Sequence, residues 1–134
     1  MKITPELAKQ LGITVPKKNK YGARKTEYNG VLYDSKGEAE HAEKLDERRW
    51  LGEIDWWHPK PGSFRLGCKE NIFRPDFLVV GEANIWVEEF KGRETAKWRK
   101  DKRLWQAYGP CKMMVYRAGK NVEIITPDKS RERQ

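Results

Sequence analysis

Asp76, Glu89 and Lys91 have the residue types and spacing to hold a divalent cation beside a phosphate ester. Residues 72–80 and 85–91 read as two apolar strands joined by the turn Gly81-Glu82-Ala83-Asn84. Strand side chains alternate between faces, so Asp76, Leu78 and Val80 share one face. Ile85, Val87, Glu89 and Lys91 share a face of the second strand by the same rule. A hairpin centred between Glu82 and Ala83 sets Val80 opposite Ile85, Leu78 opposite Val87 and Asp76 opposite Glu89. Loops of two or four residues give that pairing, and an odd loop breaks it. Directly opposed side chains have Cβ atoms roughly 4.5–5.5 Å apart, where like charges repel. A cation relieves that repulsion. Mg²⁺ takes oxygen ligands and is commonly held by one or two carboxylates together with substrate phosphate. Lys91 can offset the negative charge, orient an attacking water or stabilise charge on the phosphate. The plainer alternative is a wet sheet edge, with Lys91 or Arg74 in a surface ion pair.

Glu38 is a third candidate. Ser35-Lys36-Gly37-Glu38 has the spacing of a capping box, which opens a helix running to about Trp50, with Gly52 as its stop. Ala39, Ala42 and Leu45 form the inward stripe, and Glu38 borders it. Two readings stay open: a carboxylate held beside the sheet, or a capping residue bonded to the Ser35 backbone. Glu40, Glu43 and His41 read as helix-surface groups.

The remaining elements must frame these residues. Thr4-Pro5-Glu6 reads as a helix start, with Leu7 and Leu11 on one side and Gly12 at the end. Tyr28 to Tyr33 reads as a short strand with an Asn29-Gly30 turn pair. Ile54 to His58 and Phe64 to Leu66 read as short strands around a loop of Pro59, Pro61 and Gly62. A helix is expected from about Glu94 to Tyr108, closed by Gly109-Pro110. Met113–Tyr116 and Val122–Ile125 follow as strands about the turn Gly119-Lys120-Asn121. The order of helix, strands, helix, strands predicts a mixed α/β domain with a central sheet. Trp98, Leu104, Trp105 and Tyr108 form the apolar side of the second helix. Trp56, Trp57, Trp86 and Trp105 read as core. His58 reads as a structural or loop residue rather than a metal ligand.

At 134 residues the chain is one ordinary domain. Its parts are a basic arm with a short helix over residues 1–27, a main domain over 28–127 and a polar tail over 128–134. Apolar residues make up 37%, enough for one core. No window reaches the roughly 20 apolar residues of a membrane span, and the first residues lack an apolar signal core. The two cysteines, Cys68 and Cys111, fit neither a disulfide framework nor a four-ligand zinc site, which points to reduced thiols and a cytoplasmic location. The net charge of +8 suits a polyanionic partner. The arm carries Lys17, Lys18, Lys20 and Arg24, either as a solvated linker or as phosphate contacts. On the second helix, Lys97 and Lys100 are the better candidates for phosphate contact.

Ser35-Lys36-Gly37-Glu38, Arg74-Pro75-Asp76-Phe77-Leu78 and Glu88-Glu89-Phe90-Lys91-Gly92 together resemble the PD-(D/E)xK nuclease superfamily. Within it, the stretch from Ser35 to about Tyr116 looks most like small phage-type endonucleases, including Holliday-junction resolvases of the endonuclease I type. The resemblance implies a restriction-endonuclease-like core, a mixed central sheet flanked by helices. It implies that Asp76 and Glu89 ligate Mg²⁺, with Mn²⁺ as an expected substitute and the Phe90 carbonyl as a further ligand. Lys91 would position or activate the water. Glu38 would match the family's helical carboxylate, bound to a second metal or acting through water. Glu88 lacks a lysine two residues on and faces the other way, so Glu89 fills the motif. The implied chemistry is in-line attack of water on a DNA phosphodiester, leaving a 5′-phosphate, with branched DNA as substrate. A homodimer would suit a substrate with two equivalent strands, and a phage-encoded chain would act in the bacterial host cell. A nicking or general nuclease without junction preference and a non-catalytic basic binding module are the alternatives.

Overall fold

A computed structural model describes Gln10, residues 25–118 and residues 122–128. The helix expected at Thr4, the cations Lys17, Lys18, Lys20 and Arg24, the turn at 119–121 and residues 129–134 lie outside the described residues.

Asn29 and Gly30 both adopt left-handed backbone angles, φ 49° and 83°. That is the signature of a two-residue hairpin turn. The expected strand over Tyr28–Tyr33 is therefore two, β1 (Thr26–Tyr28) and β2 (Val31–Tyr33), paired antiparallel. Helix α1 (Lys36–Trp50) begins as the capping spacing predicts: the Ser35 hydroxyl accepts the Glu38 N–H at 3.1 Å. It ends at Leu51, and Gly52 follows with φ 79°. Ala39, Ala42 and Leu45 are buried on its inward stripe.

β3 (Trp56–Pro59) and β4 (Phe64–Arg65) follow. The strand expected over 72–80 is split. β5 (Ile72–Phe73) pairs with β4 in a separate ribbon, whereas β6 (Phe77–Val80) pairs with β3. The joint is Arg74-Pro75-Asp76, where Pro75 has no N–H to continue a ladder. β7 (Ile85–Phe90) returns antiparallel to β6, with Val80 opposite Ile85 and Leu78 opposite Val87, the register that alternation predicts. Helix α2 (Ala96–Tyr108) starts two residues later than expected, at the N-cap Thr95. It crosses over to β8 (Met113–Tyr116), which lies parallel to β7 and antiparallel to β9 (Glu123–Ile125). The five-stranded mixed sheet runs β3-β6-β7-β8-β9. Asp128, in the expected tail, donates its N–H to the Gln106 carbonyl at the end of α2.

The two faces of the sheet carry different cores. Val87, Met113 and Val115 pack with Trp98 and Trp105 of α2, and with Leu66, Phe73 and Ile125. Phe77 and Val79 pack with Ala39, Ala42 and Leu45 of α1, and with Tyr33 and Ile54. The result is a mixed α/β domain in three layers. One expectation for the tryptophans needs correction, that of Trp56. Trp57 and Trp86 are half-buried and pack against the α1-side core, whereas Trp56 is exposed at the sheet edge, where the Arg49 guanidinium lies 4.0 Å from its ring. No helix among the described residues is long and apolar enough to cross a membrane.

Glu88 stands fully buried on the α1 face. His41 Nε2 meets its Oε1 at 2.8 Å, Arg48 donates to both oxygens at 2.9 and 3.1 Å, and the Trp86 indole donates at 2.8 Å. His41 is thus not a surface group. Its ring is buried, with centroids 5.1 Å from Phe77 and 4.5 Å from Tyr116. An ionised carboxylate only accepts, so His41 Nε2 carries the proton. Burial alone would push the Glu88 carboxyl up. The hydrogen bonds from His41, Arg48 and Trp86, with the Arg48 charge, outweigh it and hold Glu88 below the ordinary range.

A lowered folded pKa gives stability that is present above the unfolded value near 4.3 and is lost as pH falls through the folded one. Glu88→Gln is expected to lower unfolding free energy by about 3 kcal/mol at pH 7 in urea titrations. The deficit should shrink as the pH is lowered below about 4, where wild type loses the same contribution.

Candidate active site

The sheet register delivers the expected meeting. Extending the β6–β7 pairing one residue beyond Phe77 and Glu88 brings Asp76 to Glu89. The Asp76 N–H donates to Glu89 Oε2 at 3.3 Å, and Asp76 Oδ2 accepts the Phe90 N–H at 2.9 Å. The two carboxyl groups are near enough that each shifts the other's titration. Glu89 is only 3% exposed, which removes the wet-edge alternative for it. Lys91 shares its face and places Nζ 3.4 Å from Glu89 Oε1 and 4.6 Å above the Trp98 ring. Arg74 is not an ion-pair partner of the acids: its Nε donates to the Ser63 hydroxyl at 3.0 Å.

Charge is stored here without full compensation. Burial drives the Asp76 carboxyl well above its ordinary range, and the Glu89 charge beside it adds to the effect. The Phe90 N–H and Lys91 pull it back only in part. Burial likewise raises Glu89, against the Lys91 charge. Two neighbouring carboxyls resist carrying two charges at once.

Glu38 approaches from the α1 layer. It is part-buried and accepts the Asp34 N–H at 3.3 Å, so its backbone partner is Asp34 rather than Ser35. Its carboxyl is pushed up to about 7, first by burial and then by the charges of Asp76 and Asp34, with Lys60 opposing. Gly37 makes this approach possible: a Cβ there would collide with the Phe90 ring. Backbone and ring close together bring the start of α1 to the end of β7. Among the described residues no three His, Cys, Asp or Glu side chains converge into a ready metal cage. Glu38 therefore lies within electrostatic reach of Asp76 but is not gathered with the pair.

Asp76, Glu89 and the Phe90 carbonyl are hard oxygen donors, the set that Mg²⁺ prefers, and two carboxylates leave positions for water and phosphate. The donor chemistry fits the cation. The other expected residues are more dispersed. Lys97 is spent on Asp101 at 3.1 Å one turn along α2, and Lys100 is exposed on the same helix. Lys102 bonds Glu123 at 2.9 Å, and Arg117 approaches Glu94 at 3.4 Å, so part of the positive charge near α2 fastens the helix to the sheet. His58 is exposed on β3, across from Leu78. Both cysteines are free thiols.

The partners of Glu88 were missed, although the signal was available. Alternation puts Glu88 opposite Glu89's face, where a carboxylate needs partners. His41 and Arg48 lie three and ten residues beyond Glu38, on the same helical stripe as Leu45. No family model matches the chain, and a search of curated proteins finds no significant match.

A carboxyl with a raised folded pKa binds more protons folded than unfolded. Stability is then complete below the unfolded pKa near 3.9 and falls as pH rises through the folded one. Asp76→Asn can still accept the Phe90 N–H and removes the repulsion with Glu89. It is expected to raise Tm by roughly 2–6 °C at pH 8, with a smaller gain at pH 4.5 in thermal scans. A variant less stable than wild type at both pH values would make the pair a structural element.

Proposed function

We propose that this chain is a Mg²⁺-dependent DNA endonuclease with a restriction-endonuclease-like core, acting on branched DNA. One observation carries the reading. A buried carboxyl, Glu89, and a half-buried one, Asp76, meet at the end of a strand pair, with Lys91 as the adjacent cation. A basic binding protein has no need of such a pair, because acids in a phosphate-contacting surface weaken it. A β-hairpin followed by a helical crossover to a parallel strand, with a helix on each face, supports the finer fold assignment.

In this reading Asp76, Glu89 and the Phe90 carbonyl would hold Mg²⁺, and that cation would supply positive charge against the charge developing on the phosphate. Lys91 holds the attacking water at the Glu89 side of the site, and its ammonium lies between that carboxylate and the Trp98 wall. Glu38, with its raised pKa, is suited to hold or release a proton near neutral pH. Buried Glu88 keeps the strand fixed and takes no part in the chemistry. The preference for branched substrates rests on the likeness to phage junction resolvases.

The test is cleavage of a labelled four-way junction beside its matching linear duplex, in Mg²⁺ and in EDTA. Wild type should cut the junction only with the metal, and Glu89→Ala should be slower by roughly 100-fold or more. Cleavage of both substrates at equal rates would keep the nuclease and remove the junction preference. Intact DNA under every metal tried, with binding retained by both proteins, would leave a binding module without catalysis.

A further inference from the structure

Lys60 occupies a place that no packing requirement explains. Its backbone is left-handed, φ 49°, which is uncommon for a residue with a Cβ. Strained positions of this kind persist where the surroundings hold them. Here two bonds do so. The Lys60 N–H donates to the Asp76 carbonyl at 2.8 Å, and Nζ donates to the Leu32 carbonyl at 2.6 Å. One residue thereby ties the β1–β2 hairpin to the backbone of the acid pair. A lysine ammonium has three N–H donors, and this one is exposed with one bound to Leu32.

Arg74 lies in the joint between β5 and β6, two residues before Asp76. Ser63 fixes its Nε at 3.0 Å, and the residue is exposed. The four N–H groups on its terminal nitrogens remain to make a fork suited to a phosphate. Neither Lys60 nor Arg74 forms a salt bridge among the described residues, whereas exposed Lys36 and Lys97 have Glu40 and Asp101 within reach. The chain thus holds two exposed cations by one donor each, Arg74 in the joint that carries Asp76 and Lys60 bonded to the Asp76 backbone, with the Lys60 ammonium also 5.9 Å from the Tyr33 ring and acting on Glu38. Both anchors hold the side chain at its base or by one donor, which limits the entropy lost on binding an anion.

We propose that Lys60 and Arg74 form a phosphate clamp that holds the DNA backbone over the Asp76–Glu89 pair. The inference rests on the nuclease reading. It replaces the paired Lys97 as a phosphate contact and gives the substrate strand a path from the β1–β2 hairpin, past Asp76, to the β4–β5 ribbon. Both residues act by binding and orienting the strand.

The test is equilibrium binding of a fluorescent four-way junction in EDTA, followed by anisotropy across 50 to 200 mM salt. Wild type, Lys60→Gln, Arg74→Gln, the double variant and Lys44→Gln on the outer side of α1 are compared, with Tm recorded for each. Each clamp substitution should lower the slope of log affinity against log salt by about 0.9, and the double variant by about twice that. Lys44→Gln should keep the wild-type slope. In Mg²⁺ the clamp variants should raise KM more than they lower kcat. Binding by wild type with an unchanged slope in the folded double variant would overturn the clamp and leave the nuclease reading intact. Absence of binding by wild type would overturn both.

Discussion

The contact between Asp76 and Glu89 is the constraint around which the rest of the molecule is arranged. Two acids held together, one buried and one half-buried, destabilise a fold, so the surrounding chain must over-determine their positions. It does so from several directions. The even-numbered turn at 81–84 sets the register of β6 and β7. Pro75 ends the ladder just ahead of Asp76 and sends β5 away to the ribbon with β4. The Phe90 N–H fixes one oxygen of Asp76, and the Lys60 N–H fixes the Asp76 carbonyl. Gly37 lets the Phe90 ring close against α1. None of these contacts cancels the charge, and all of them aim it.

Glu88 and Glu89 make the point as an internal control. They are the same residue type, adjacent in one strand and almost equally shielded from solvent. On the α1 face, Glu88 receives bonds from His41, Arg48 and Trp86 and is held ionised. On the α2 face, Glu89 has the Asp76 N–H, a carboxyl neighbour and one lysine, and its carboxyl is pushed up. Alternation of the pleat separates two electrostatic tasks by a single residue. One acid completes a polar cluster that fastens α1 to the sheet. The other is left short of partners, which is the condition for binding a cation from solution.

Much of this was legible in the chain itself. Period-two alternation and the length of one turn were enough to bring Asp76 to Glu89 and to send Glu88 away. The Ser35 cap and the Ala39, Ala42, Leu45 stripe located α1, because local spacing governs helix starts and faces. What alternation could not supply was the break between Phe73 and Phe77. An apolar run carries no sign of which partner each half will choose, and β5 pairs within a ribbon that only tertiary packing defines. His41 was misjudged because a histidine's place on a helix surface depends on what faces it, here the Glu88 carboxylate. Trp56 was misjudged because β3 is an edge strand and leaves one side of its residues open. Lys60 and Arg74 gave no signal, since a lysine in a Pro-rich loop looks the same whether or not its backbone is anchored.

The most direct measurement is the anomalous difference map of a crystal grown or soaked in Mn²⁺. One peak is expected within about 2.2 Å of a carboxylate oxygen of Asp76 and of Glu89, and it should vanish in Asp76→Asn crystals. Ordered Mn²⁺ elsewhere in the lattice, with no density between the two carboxyls, would contradict the assignment of this pair as a metal site.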